Sequence, residues 1–193
     1  MMISLSKVAT KNTAPPGCVQ GFTLVELMIT VAIMVIIATI GVPSFNSIIN
    51  TNRLQGPANE VLAAMNFARA EAVRRNNTVI VCKANTAFSA CSTGTSDWPG
   101  MLVMETNAAG AATNVIRVVS FDTALKVNAS VDTIRYNAQG FIRNATNGAL
   151  NGTVRVCIPK TTPTENARDL SFASGGRLNI SSVALSGLCP AVS

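Results

Sequence analysis

The chain has 193 residues, 48% of them hydrophobic and only 12% charged, with a mean hydropathy of +0.36. This describes a membrane-attached globular protein rather than a disordered one, with room for one domain core plus a greasier segment. There is no histidine, which excludes His-dependent hydrolysis, proton shuttling near neutrality and His-ligated metals. The formal charge of +6 falls to +4 (13 basic against 9 acidic residues) if Lys7 and Lys11 are removed with an N-terminal segment, a bias too mild for a nucleic-acid signature.

Residues 1–21 contain Lys7 and Lys11 and no acidic residue. From 22 to 43 the sequence runs FTLVELMITVAIMVIIATIGVP, interrupted by a charge only at Glu26. At about 1.5 Å per helical residue this run can cross a hydrocarbon layer of roughly 30 Å. The basic residues before it predict a cytoplasmic N-terminus and an external chain after Pro43. An ordinary secretory signal closes its apolar stretch with a small-x-small cleavage site, whereas here the break precedes the run, between Gly21 and Phe22.

The residues Gly21, Phe22, Thr23, Leu24, Val25 and Glu26 resemble the prepilin-peptidase signature of type IV pilins. The resemblance implies a leader, 1–21, cut off after Gly21, and methylation of the new N-terminal Phe22. It also makes 22–45 the transmembrane half of a long helix. A carboxylate inside a membrane helix costs about 2.5–3.5 kcal/mol. In pilins the equivalent glutamate is thought to pair with a neighbouring subunit's N-terminal ammonium, here that of Phe22. The bland alternative leaves Glu26 near the headgroups.

Beyond Pro43, residues Leu54, Ala58, Val61, Met65, Ala68 and Ala72 recur in steps of three and four. This stripe predicts an amphipathic half-helix over 46–76 that packs on a sheet. Gly41 with Pro43, and Gly56 with Pro57, mark expected weak points, and the helix should end near Arg75 before Asn76 and Asn77. Arg69, Arg74 and Arg75 suggest a phosphate patch, but basic residues in a last helical turn also complement its dipole and stay solvated, which is the reading preferred.

Over 77–193 the runs TVIVC, GMLVM, VIRVVSF, TIRYN, TVRVCI, DLSFA and RLNIS predict antiparallel strands, with exposed loops over 107–113 and 144–152. Five cysteines occur. Cys18 would leave with the leader, and Cys82, Cys91, Cys157 and Cys189 then form an even set for an oxidising compartment. Of three pairings the simplest joins Cys82 to Cys91 and Cys157 to Cys189, and the sequence leaves the choice open.

The stretch FARAEAVRRNNTVIVC, 67–82, resembles the helix-to-first-strand junction of the GspH and FimT/FimU family of minor pilins and pseudopilins. The implied fold is α+β and pilin-like: a long N-terminal helix packed on an antiparallel β-sheet domain. The segment Asp97-Trp98-Pro99-Gly100-Met101 resembles the family's Trp-and-Gly approach to a strand, with Trp98 as a packing residue. The implied function is a minor type IV pilin that helps initiate or cap the pilus. The alternatives are a GspH-like minor pseudopilin of a type II secretion system and a DNA-binding minor pilin of natural transformation. Four mature cysteines tilt the choice toward a FimU-like pilin.

The DNA reading is disfavoured. DNA-binding FimT proteins resemble one another in a Gly-Arg-x-Arg motif, and the matching place here reads Gly176-Arg177-Leu178-Asn179. Arg177 would then border a hairpin, and DNA contact would need help from Arg143, Arg155, Lys160 or Arg168 clustered in space. No nucleophile–base constellation, phosphate loop, cofactor or metal motif is present, so the expectation is not an enzyme. The implied partners are a prepilin peptidase, the major pilin and other minor pilins (or pseudopilins), and the inner membrane, with the C-terminal domain in the periplasm.

Overall fold

The protein, here as a computed structural model, is described over residues 21–192, without the side chains of 40–44. The expectations for Lys7, Lys11 and Cys18 therefore fall outside the described residues, while at Gly41 and Pro43, where a weak point is expected, the backbone stays helical. Helix α1 (Leu24–Arg75) contributes to two compact units, the first ending at Gly41 and the second beginning at Val42. In the first unit the helix is apolar on every side: Leu24, Val25, Leu27, Met28, Ile29, Val31, Ile33 and Met34 are all exposed. Among the described residues no helix is long and apolar enough to cross a membrane, and the expected span of 22–45 includes the undescribed side chains of 40–44.

In the second unit the stripe read from the sequence is the buried face of α1. Leu54, Val61, Met65, Ala68 and Ala72 are fully buried and Ala58 nearly so. The helix continues through Gly56 and Pro57, although Pro57 has no N–H to offer the preceding turn. It closes on Asn76, whose φ of 49° supplies a left-handed residue. Asn76 N donates to Val73 O and Asn77 N to Ala72 O, both at 3.2 Å, the paired bonds of a Schellman cap.

The strands are β1 (Val79–Lys83), β2 (Gly100–Thr106), β3 (Ala112–Ser120), β4 (Lys126–Ala129), β5 (Thr133–Tyr136), β6 (Ile142–Arg143), β7 (Gly152–Cys157), β8 (Ala167–Phe172) and β9 (Leu178–Val183). They form two antiparallel sheets, ordered β3-β2-β1-β5-β6 and β4-β7-β8-β9. The seven expected runs each hold a strand. The sequence reading missed β4 and β6: β4 reads Lys-Val-Asn-Ala and β6 has two residues, so their pairing with β7 and β5, rather than local propensity, makes them strands.

Strand alternation divides the apolar residues between two clusters. Val79, Val81, Met101, Val103, Ile134, Tyr136, Val154, Val156, Leu170 and Phe172 meet the helical stripe in the main core. Ile80, Cys82, Leu102 and Met104 face the other way and are covered by Phe88 and Cys91. The Cys82–Cys91 disulfide holds that cover in place. The Cys157–Cys189 disulfide ties the C-terminal tail to the second sheet. Buried Asn166 supports the same tail, donating to Leu188 O at 3.2 Å and accepting from Leu185 N at 2.8 Å. Each cross-link of this kind contributes about 2–4 kcal/mol.

Trp98 is buried in the main core and its Nε1 donates to Gly94 O at 3.1 Å. Two residues on, a Cβ on Gly100 would stand 2.5 Å from Val119 O and collide with the Phe88 ring. Glycine thus lets β3 and the disulfide-held loop close on β2 from both sides. Gly100→Ala is expected to destabilise the domain by about 1–3 kcal/mol, measured as a lower midpoint in denaturant.

At the end of α1, Glu71 accepts from Arg74 Nη2 at 2.7 Å and Arg75 Nε at 2.6 Å, and Arg75 Nη1 reaches Glu105 of β2 at 3.1 Å. The hydrogen bonds from Arg74 and then Arg75 lower the Glu71 pKa to about 2. A depressed carboxyl stabilises the fold above its ordinary pKa, about 4.5, and loses that contribution as pH falls through about 2. The difference in melting temperature between wild type and Glu71→Gln should therefore be fully developed near pH 6 and shrink from about pH 4.5 toward pH 2. A difference independent of pH would rule this out.

Candidate functional site

Residues 21–23 precede the helix, and Phe22 is 82% exposed. Thr23 caps α1: its Oγ1 accepts from Glu26 N at 3.2 Å, and its carbonyl accepts from Leu27 N at 3.2 Å. Thr23-Leu24-Val25-Glu26 is thus a Thr-x-x-Glu start with Glu26 in the first turn, where a carboxylate suits the helix dipole. The sequence reading missed this local role, although the pattern signals it. The cap uses the Glu26 amide, while its side chain stays exposed and, among the described residues, has no cation within 4.0 Å.

Several of the other highlighted cations are occupied within the fold. Arg74 and Arg75 bind Glu71, and Arg69 donates to Gly176 O at 3.3 Å, so these three do not form an open phosphate patch. Glu71, which sequence reasoning overlooked, is the group that organises Arg74 and Arg75; its spacing of three and four residues from those two arginines was the available signal. Arg155 makes a two-pronged bond to Asp169, directly opposite on β8, with both distances 2.7 Å. Hydrogen bonding to that carboxylate raises the Arg155 pKa.

Arg168 is buried and donates to the carbonyls of Glu165 and Ala167 at 3.0 and 2.9 Å. Arg177 is exposed in the β8–β9 hairpin, where its carbonyl accepts from Ala173 N at 3.0 Å. Arg143 lies on β6 in the other sheet, its guanidinium 5.3 Å from the Phe141 ring centroid, and Lys160 is exposed beyond β7. Tyr136, which burial pushes to a raised pKa, has its hydroxyl 4.0 Å from Met65 Sδ inside the core. Among the described residues no three metal-ligating side chains converge.

Residues 18–42 match the prokaryotic N-terminal methylation motif, and residues 57–180 match the family described as type II transport protein GspH. No curated protein sequence matches the chain. Two crystal structures of the Pseudomonas aeruginosa (strain PAO1) type IV minor pilin FimU share the fold at 21% sequence identity. One has a TM-score of 0.50 and covers 71% of this chain and 97% of its own. The other has a TM-score of 0.51, with 72% and 94% covered. The GspH match takes in the end of α1 and both sheets and follows an N-terminal methylation motif: the chain belongs to the GspH family of pilin-like proteins.

Proposed function

We propose that this protein is a minor type IV pilin that helps initiate or cap the pilus. In this reading a prepilin peptidase cuts between Gly21 and Phe22 and Phe22 is N-methylated. Residues 22–45 hold the protein in the inner membrane, 46–76 pack as the amphipathic half-helix, and 77–193 form the periplasmic domain. The observation that carries the proposal is the N-terminal methylation motif running into a helix whose apolar side chains are exposed all round. Fully burying each such side chain is worth about 1.5–3 kcal/mol, which lipid supplies first and neighbouring subunits' helices supply within a filament. The FimU-like fold of the stapled domain supports a place in the pilus.

A second reading, a minor pseudopilin of a type II secretion system, is favoured by the family's own description. Both readings need the same anchor and domain. Natural transformation has less support, since Arg168 and Arg155 are engaged within the fold.

The deciding measurement is the number of surface pili on a strain lacking this gene, with secretion of type II substrates followed in the same cultures. Loss of pili with secretion intact is expected; normal piliation with failed secretion would replace the pilin reading with the pseudopilin one. For Glu26, the ammonium of a neighbour's Phe22 is the partner that offsets its cost in the membrane. Glu26→Ala should leave membrane insertion and cleavage unchanged while reducing the protein recovered in sheared filaments about tenfold, the equivalent of roughly 1.4 kcal/mol. Recovery at the wild-type level would remove the pairing from the proposal.

A further inference from the structure

The outer face of the five-stranded sheet holds a polar hollow of about 260 Å³ between the β5–β6 hairpin, the β6–β7 loop and the β2–β3 turn. Strand register places Arg135 of β5 directly opposite Arg143 of β6, and both side chains line the hollow. Like charges directly opposite destabilise an antiparallel pair unless something neutralises them. Among the described residues no carboxylate lies within 4.0 Å of either guanidinium. Arg135 Nη1 donates to Gly110 O at 3.0 Å and Arg143 rests over the Phe141 ring, which orients both groups and leaves most of their N–H donors uncommitted among the described residues.

Two amides in the lining add to this donor surplus. Asn137 Oδ1 accepts from Gln139 N at 3.2 Å and Phe141 N at 2.9 Å. Asn144 Oδ1 accepts from Thr146 N at 3.0 Å and Gly148 N at 2.7 Å. Each acceptor oxygen is thus occupied within its own turn, and among the described residues the Nδ2 donors are uncommitted. No acidic residue lines the hollow; Asp132 lines an adjoining one that shares Arg135, Asn144 and Ala145 with it.

We propose that this hollow binds one tetrahedral oxyanion, a phosphate or sulfate group, held by Arg135 and Arg143 and completed by the amides of Asn137 and Asn144. The donors come from two strands and two turns, an arrangement that suits a tetrahedral group better than a planar fork. Charge-assisted bonds of this kind are the strong ones available to an exposed site. The proposal does not depend on whether the chain serves a pilus or a secretion system.

The test is equilibrium binding of inorganic phosphate to the full chain in detergent, with ionic strength held constant by chloride. Saturable binding to one site is expected, weakened at least about tenfold in Arg143→Gln, which removes a charge and its charge-assisted bonds to the anion. Arg143 makes no side-chain bond to the fold beyond its contact with Phe141 among the described residues, so this variant should fold, with far-UV circular dichroism as the check. Arg135→Gln should lose binding as well. Displacement of phosphate by a short single-stranded oligodeoxynucleotide would identify a phosphodiester as the source of the anion; failure to displace it would identify the free ion. Absence of saturable binding, or equal binding by wild type and Arg143→Gln, would overturn the proposal.

Discussion

The seam between one face of α1 and the inner faces of two sheets is the constraint on which the rest of the second unit depends. Its helical side alternates large residues, Leu54, Val61 and Met65, with Ala58, Ala64, Ala68 and Ala72. The alanines let strand side chains approach the helix closely, and the large residues fill what remains. Neither sheet could bury its apolar face without that stripe. Tyr136 shows how tightly the seam is filled, since it is fully buried with its hydroxyl 4.0 Å from Met65 Sδ.

Because β1 carries apolar residues on both faces, Val79 and Val81 on one and Ile80 and Cys82 on the other, both must be covered, and only one can face the helix. The second cover is a loop, which pays backbone entropy that a helix would have recovered in hydrogen bonds. This explains the Cys82–Cys91 staple and the absence of a side chain at Gly100: the loop is pinned at one end and allowed to approach at the other. The Cys157–Cys189 bond does the same for a tail that otherwise relies on Asn166 and the carbonyl of Pro190, which accepts from Arg155 at 3.4 Å.

Charge follows the same logic. Arg74, Arg75 and Arg155 lock elements together through Glu71, Glu105 and Asp169, and Arg168 is turned toward backbone carbonyls. A net positive formal charge therefore does not translate into a broad basic surface. Among the described residues Lys160 and Arg177 stay exposed with no carboxylate within 4.0 Å, and at Arg135 and Arg143 opposing strands bring like charges together.

Much of this was legible in the sequence. The methylation signature was legible as a family resemblance, while the apolar run, the stripe from Leu54 to Ala72, the helix end at Arg75 and seven of the strands follow from local chemistry: hydropathy, periodicity and turn formers. Tertiary structure alone decided the division into two sheets, the existence of β4 and β6, the choice among three cysteine pairings, and which arginines are occupied. Those depend on register between segments far apart in the chain. Arg155 meets Asp169, and Arg143 meets Arg135, only because particular strands align, and no local pattern records that alignment.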